Sequence, residues 1–199
     1  LNYGKTNVIA VKVDNSQQPD SRWYSGSGIY RDVKLVMLKK WITKPAEYFV
    51  RTEALENNCV KISAETQLFS ENRGLALSID IYDNKGKLIS RMDNIILNRD
   101  NYFKSAIKLT NPILWSPANP VLYKARFKIF AAEYLVDEFE TTFGIRSFYF
   151  DSKKGFFLNN QPLKIQGVCM HHDLGSLGAA FKKTAAKRQL TILKEMGCN

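Results

Sequence analysis

The stretch Val60-Lys61-Ile62-Ser63-Ala64-Glu65-Thr66-Gln67-Leu68 decides the fold class. Val60, Ile62, Ala64, Thr66 and Leu68 alternate with Lys61, Ser63, Glu65 and Gln67. A period of two sends one set to a buried face and the other to a wet one, which predicts a half-buried β-strand. The pattern then recurs. Leu75, Leu77, Ile79 and Ile81 alternate with Ala76, Ser78, Asp80 and Tyr82, and Asp83-Asn84-Lys85-Gly86 follows as a turn with glycine at the left-handed position. Phe103, Ser105, Ile107 and Leu109 alternate until Asn111-Pro112 breaks the run, and Tyr123, Ala125, Phe127 and Ile129 oppose Lys124, Arg126 and Lys128. A last strand over about 136–143 ends at Gly144. About seven short strands in roughly a hundred residues predict a sandwich of immunoglobulin type. No Cys–Trp–Cys pattern is present, so the likeness is one of architecture.

On the N-terminal side, residues 8–13 are an apolar, β-branched run that predicts a buried strand, and residues 33–38 predict another. A polar loop and Trp23-Tyr24-Ser25-Gly26-Ser27-Gly28-Ile29-Tyr30-Arg31 lie between them. Two strands joined by a wide loop do not close a sheet, so this part reads as the tail of a β-sandwich that begins upstream. On the C-terminal side, Asp151-Ser152-Lys153-Lys154-Gly155 predicts a hairpin turn and Asn159-Asn160-Gln161-Pro162 a second turn. Residues 163–168 predict an apolar strand entering His171-His172-Asp173. A helix is expected over 184–196, with Thr184 as its cap, Ala186, Leu190, Leu193 and Met196 as its apolar stripe, and Gly197 as its left-handed stop. One strand and one helix are the opening unit of an α/β domain. The fold class is therefore mainly β: an immunoglobulin-like sandwich preceded by strands of another sandwich and followed by a β/α unit; a family resemblance over Ser21 to Arg31 and Phe157 to Leu163 implies that the former are jelly-roll strands and the latter a C-terminal β/α unit of a truncated TIM barrel. The expected divisions are 1–40, 41–147 and 148–199.

Composition excludes several functions. The net charge is +10, but the basic clusters (Lys39-Lys40, Lys153-Lys154, Lys182-Lys183) are short and scattered, with no nucleic-acid module around them. They read as solvated faces, and no nucleic-acid partner is expected. No apolar run reaches the ~18 residues of a membrane helix, so no membrane partner is expected. The first residues lack the charged head and apolar core of a secretory signal, and there is no initiator Met. A soluble protein, cytoplasmic or periplasmic, is compatible with this. Cys59, Cys169 and Cys198 are far apart and odd in number, and are expected to be buried free thiols. Gly175-Ser176-Leu177-Gly178 lacks the Lys-Ser/Thr of a phosphate loop, and no cofactor is expected.

Two groups could carry chemistry. On an extended segment His171 and Asp173 point one way and His172 the other. Imidazole can donate to sugar hydroxyls and a carboxylate can accept from them; alternatively the three form a polar loop anchored to a helix end. The second group is Asp20 and Arg22 beside Trp23 and Tyr24. Aromatic faces cover sugar C–H patches and charged groups fork hydrogen bonds to hydroxyls. The alternative is that Trp23 and Tyr30 are core and Arg22 pairs with Asp20. A metal site would need further ligands, since the only histidines are adjacent, and none is expected. The same adjacency argues against a nucleophilic triad. Trp115, in Leu114-Trp115-Ser116-Pro117, reads as a packed corner.

These stretches resemble glycoside hydrolase family 2, which includes β-galactosidases, β-mannosidases and β-glucuronidases. Ser21 to Arg31 resembles the segment closing the family's sugar-binding domain. Leu114-Trp115-Ser116-Pro117 with Asn119-Pro120 and Leu122-Tyr123 resembles its immunoglobulin-like domain. Phe143-Gly144-Ile145-Arg146 and Phe157-Leu158-Asn159-Asn160-Gln161-Pro162-Leu163 look like its entry to the barrel, and Gly167-Val168 with His171-His172-Asp173 resembles a β-galactosidase-like branch. The resemblance implies retaining hydrolysis of β-glycosidic bonds, most simply of a β-galactoside-like substrate. It also implies that both catalytic glutamates lie beyond this chain, so no catalytic residue is assigned and the chain alone is expected to be inactive. Substrate contact would fall to Asp20, Arg22, His171, His172 and Asp173. The barrel unit taken alone would be disordered, pack on the sandwich, or form a homo-oligomer with a second copy. The rival expectation is a free-standing carbohydrate-binding or adhesion module.

Overall fold

The computed structural model describes residues 2–17, 28–29, 31–38, 42–56, 58–70, 74–97, 100–171, 174–178 and 180–199, with side chains throughout except at 42–46. The chain forms two compact units, Leu1–Leu35 with Gln166–Asn199, and Val36–Ile165.

Seven antiparallel strands build most of the second unit: β1 (Ile42–Glu56), β2 (Cys59–Ser70), β3 (Leu75–Tyr82), β4 (Leu88–Ile96), β5 (Tyr102–Thr110), β6 (Tyr123–Ala131) and β7 (Tyr134–Phe143). They form one sheet in the order β1-β2-β5 and another in the order β4-β3-β6-β7. This is the predicted immunoglobulin-type sandwich. Val60, Ile62 and Ala64 of β2 and Ile107 and Leu109 of β5 share one core with Leu75, Leu77, Ile79 and Ile81 of β3 and Ala125, Phe127 and Ile129 of β6. Burying each large aliphatic or aromatic side chain contributes about 1.5–3 kcal/mol. From β1, Tyr48 stacks on Phe139 at 4.3 Å and meets Phe127 at 4.9 Å. Burial, with the charge of Asp137 as a lesser cause, pushes its hydroxyl above the usual tyrosine value.

The outer face of β3 departs from the wet face that alternation predicts. Asp80 is 0% exposed and Ser78 is buried. β3 lies between β4 and β6, and long side chains from both cross over it. The guanidinium of Arg91 grips Asp80 through two nitrogens, Lys128 Nζ lies 2.9 Å away, and the Tyr82 hydroxyl donates at 3.2 Å. Burial pushes the Asp80 carboxyl up, but the hydrogen bonds and charges of Arg91 and Lys128 outweigh it and hold the group at about 2. Ser78 Oγ donates to Asp93 at 2.6 Å.

β8 (Phe148–Asp151), β9 (Gly155–Leu158) and β10 (Gln161–Pro162) form a small third sheet at the two predicted turns. Asp151 Oδ1 accepts from the amides of Lys153 and Lys154, both at 2.8 Å. Asn159 and Asn160 have φ of 51° and 63°, the left-handed pair that a two-residue hairpin turn needs.

Elsewhere expectation and structure part. Residues 8–13 and 33–38 join no ladder, and Val8, Ile9, Val33, Leu35 and Met37 are exposed. Residues 163–168 are likewise outside any strand, with Ile165 and Val168 exposed. An apolar, β-branched run marks a segment able to join a sheet; the lateral hydrogen bonds that make it a strand must come from a partner. α1 (Lys183–Glu195) starts one residue before Thr184, with Lys182 at the cap position and no side-chain cap bond. Thr184 therefore sits inside the first turn and not at the cap. The stop is as predicted. Gly197 has φ 97°, its amide donates to Lys194 O, and the Cys198 amide donates to Leu193 O, both at 3.0 Å. No residue of α1 is buried, and Leu190 and Met196 on its apolar stripe are exposed. The thiols are free but not buried: Cys59 and Cys198 are half-buried and Cys169 is exposed.

Candidate functional site

The chain leaves the sandwich through a tightly packed corner. β7 ends at Phe143, and a Cβ on Gly144 would sit 3.0 Å from three atoms of the Trp115 side chain. Trp115 donates its amide to Ile145 O at 2.8 Å, and the Arg146 guanidinium lies 4.8 Å above its ring. Asn159 ties the following sheet to this corner. Its Nδ2 donates to Trp115 O at 3.0 Å, its Oδ1 accepts from the Ser147 amide at 3.1 Å, and its own amide donates to Ser147 O at 2.8 Å. Arg146 also donates its amide to Thr52 Oγ1 on β1 at 3.2 Å. Trp115 is thus the packed corner that its sequence context predicts. An open cleft of about 490 Å³ borders it, lined in part by Arg51, Thr52, Trp115 and Arg146.

In the other unit, His171 is an exposed residue on the segment that begins at Gln166. That segment is clamped to the chain end: Gln166 donates its amide to Asn199 Oδ1 and accepts the Asn199 amide, both at 3.0 Å. Past His171, the turn at Gly175–Leu177 closes with Leu174 donating to Gly178 O at 3.1 Å. The helix and its glycine stop thus bring Asn199 back beside Gln166, as the first step of a β/α alternation requires. Of the five sequence-derived contact residues, His171 is placed in this way. Asp20, Arg22, His172 and Asp173 lie outside the described residues.

No three His, Cys, Asp or Glu side chains gather as a metal-binding group among the described residues. No helix among them is long and apolar enough to cross a membrane. The buried carboxylate of Asp80 is neutralised by two cations and is held well below the range of a proton donor. Its alternating position reads as wet, because the salt bridge across three strands appears only once the register sets Arg91 of β4 opposite Asp80 and Lys128 of β6 opposite the neighbouring Ser78.

Comparison with known proteins agrees with this architecture. The sequence profile of glycosyl hydrolases family 2 matches residues 43–146, which is the sandwich and its exit corner. The chain is 37% identical over 212 aligned residues to Beta-galactosidase BoGH2A of Bacteroides ovatus, covering 100% of this chain and 24% of that protein. It is 26% identical over 214 residues to a beta-glucuronidase of Bacteroides fragilis, covering 100% of this chain and 31% of that one. Among solved structures, a beta-glycosidase from Bacteroides vulgatus superposes with a TM-score of 0.81 at 27% identity, over 94% of this chain and 24% of that chain. The chain thus spans about a quarter to a third of the length of these curated relatives. With the profile covering both sheets and the exit corner, and full-length similarity running on into the β/α unit, the chain belongs to glycosyl hydrolases family 2.

Proposed function

We propose that this chain is a portion of a retaining β-glycosidase, of β-galactosidase type, that hydrolyses terminal β-glycosidic bonds. The observation that carries the reading is the alignment of all 199 residues with a protein named as a β-galactosidase, at 37% identity. Retaining hydrolysis needs two carboxyl groups about 5–5.5 Å apart, one attacking the anomeric carbon and one protonating the leaving oxygen. In this reading both belong to polypeptide outside these residues. The chain supplies the end of a sugar-binding domain (1–40), the sandwich (41–147) and the start of the barrel (148–199). Asp20, Arg22, His171, His172 and Asp173 hold the sugar: imidazole and guanidinium donate to hydroxyls, carboxylates accept from them, and the geometry of the bond to be cut is set by that grip.

A second reading changes only the sugar. Relatives named as β-glucuronidases also align along the whole chain. The two readings separate on chromogenic β-galactoside and β-glucuronide, assayed with residues 1–199 and with the protein extended through a complete barrel. Hydrolysis of the galactoside by the extended protein, and of neither substrate by residues 1–199, is the expected result. Preference for the glucuronide replaces the sugar assignment. Turnover by residues 1–199 alone would overturn the proposal.

A further inference from the structure

The cations of the sandwich divide into two sets. Arg51, Lys61, Arg91, Lys104, Lys124, Arg126 and Lys128 each pair with a carboxylate. Lys85, Lys87 and Lys108 pair with none among the described residues, and all three line one cleft of about 550 Å³. That size is within the roughly 300–1,000 Å³ of small-ligand sites. Lys85 and Lys87 stand on the turn between β3 and β4, and Lys108 on β5. The turn is held rigid. Asp83 Oδ1 accepts from the amides of Lys85 and Lys87, both at 2.9 Å, and the Asp83 amide donates to Lys87 O at 2.9 Å. Asp83 is also the one carboxylate in the lining, so the cleft keeps two positive charges in excess.

We propose that this cleft binds an anionic saccharide, one carrying carboxylate or sulfate-ester groups. Unpaired lysines in a concavity attract anionic oxygens, and the excess charge raises the local anion concentration. Asn84, Thr110 and Asn111 offer amide and hydroxyl groups suited to sugar hydroxyls, while the exposed Ile89 and Ile113 offer apolar surface to ring C–H groups. The one aromatic ring in the lining, Tyr123, is buried, and its hydroxyl accepts the Ile113 amide at 2.8 Å. Stacking therefore does not carry the contact, which disfavours both single-stranded nucleic acid and a neutral glycan. Membership of a glycosyl hydrolase family makes a saccharide the occupant to test first. The inference goes beyond the glycosidase reading and does not need it.

The test is affinity electrophoresis of the 199-residue protein through gels containing dextran sulfate, polygalacturonate or neutral dextran, with duplex DNA as a competitor. Retardation by one or both anionic polymers and none by dextran is expected, and comparing the two polymers tells sulfate from carboxylate. Lys85→Ala/Lys87→Ala/Lys108→Ala should weaken retardation by about tenfold, and the corresponding triple Lys→Arg variant should keep it. Lys182→Ala/Lys183→Ala/Lys187→Ala, at the cap and in the first turns of α1 and with the same change of net charge, should stay within about twofold of the parent. Equal loss in both alanine triples reduces the effect to net charge and overturns the proposal. So do an unaffected cleft triple, equal retardation by dextran, no retardation at all, or tighter binding of DNA.

Discussion

At the residue scale, Asp80 shows how the register turns a polar residue into a structural one. Its displacement from the ordinary 3.8 to about 2 corresponds to ~2 kcal/mol of native-state stability. Because the folded value is depressed, that stability is fully present above about pH 4 and is lost as the pH falls towards 2 and below. Asp80→Asn should lower stability by about 2–3 kcal/mol at pH 7, since it leaves Arg91 and Lys128 facing an uncharged group. It should also flatten the pH dependence between 4 and 2, and urea titrations at several pH values check both effects. Gly144 is a second such residue. A methyl there meets Trp115 at 3.0 Å at its Cβ, Cγ and Cδ1, and Arg146 and Asn159 hold that corner from other sides. Gly144→Ala is expected to cost about 1–3 kcal/mol, part of it recovered in a Trp115→Ala background, which removes the Cγ and Cδ1 contacts and keeps the one to Cβ, as a double-mutant cycle would show. Neither residue's environment was legible beforehand. Asp80 occupied an alternating position that read as wet, and Gly144 read as a strand end within a family-like stretch, with nothing to show its contact with Trp115.

At the element scale, the strands with unbroken alternation were legible, the edge strand β5 among them, and β1 and β4 were not. β2, β3, β5 and β6 alternate because each pairs on both sides or faces the core along its length. β1 and β4 are edge strands with shifts in register. β1 slips between Ile42 and Lys44, Lys44 and Glu47, and Thr52 and Ala54, and β4 carries Asn94 at φ 54° beside the slip opposite Leu77 and Ile79. The bulges interrupt the alternation, so a period of two survives only in short stretches such as Glu47 to Ala54, where the exposed Phe49 further masks it. The hairpin turns were legible because their residues are chemically specific. Asn159 and Asn160 share a left-handed turn, but only Asn159 also bonds to Trp115 and Ser147. Asn159→Ala should therefore cost about 2–3 kcal/mol, from two side-chain hydrogen bonds and a left-handed alanine. Asn160→Gly should be neutral or stabilising by less than about 1 kcal/mol, since only backbone strain changes. Thermal melts of the two variants distinguish a turn that only reverses the chain from one that also fastens it.

At the scale of the whole molecule, the chain is unevenly built. The buried core lies in Val36–Ile165, between two sheets whose contacts are distant in sequence. No residue of α1 is fully buried, though Ala186 and Leu193 are half-buried, and its 13 residues are within the length at which an isolated helix in water is marginal. Its capping follows the same logic. The C-terminal glycine motif satisfies the last carbonyls, while Lys182 leaves the first amides without a side-chain acceptor. The sequence predicts a helix with an apolar stripe, and the structure has that helix with Leu190 and Met196 of the stripe exposed, because a stripe is a capacity to pack that needs a surface to pack against. Hydrogen exchange should therefore be strongly graded. Amides in the centres of β2, β3 and β6 should exchange only through global unfolding, and those of α1 orders of magnitude faster through local opening. Adding denaturant well below the midpoint should speed β2 exchange while leaving α1 nearly unchanged, because local fraying exposes little new surface. Equal protection in α1 and β2 would show that the helix has an apolar partner in solution, and its exposed stripe would then have to be reassigned as an interface.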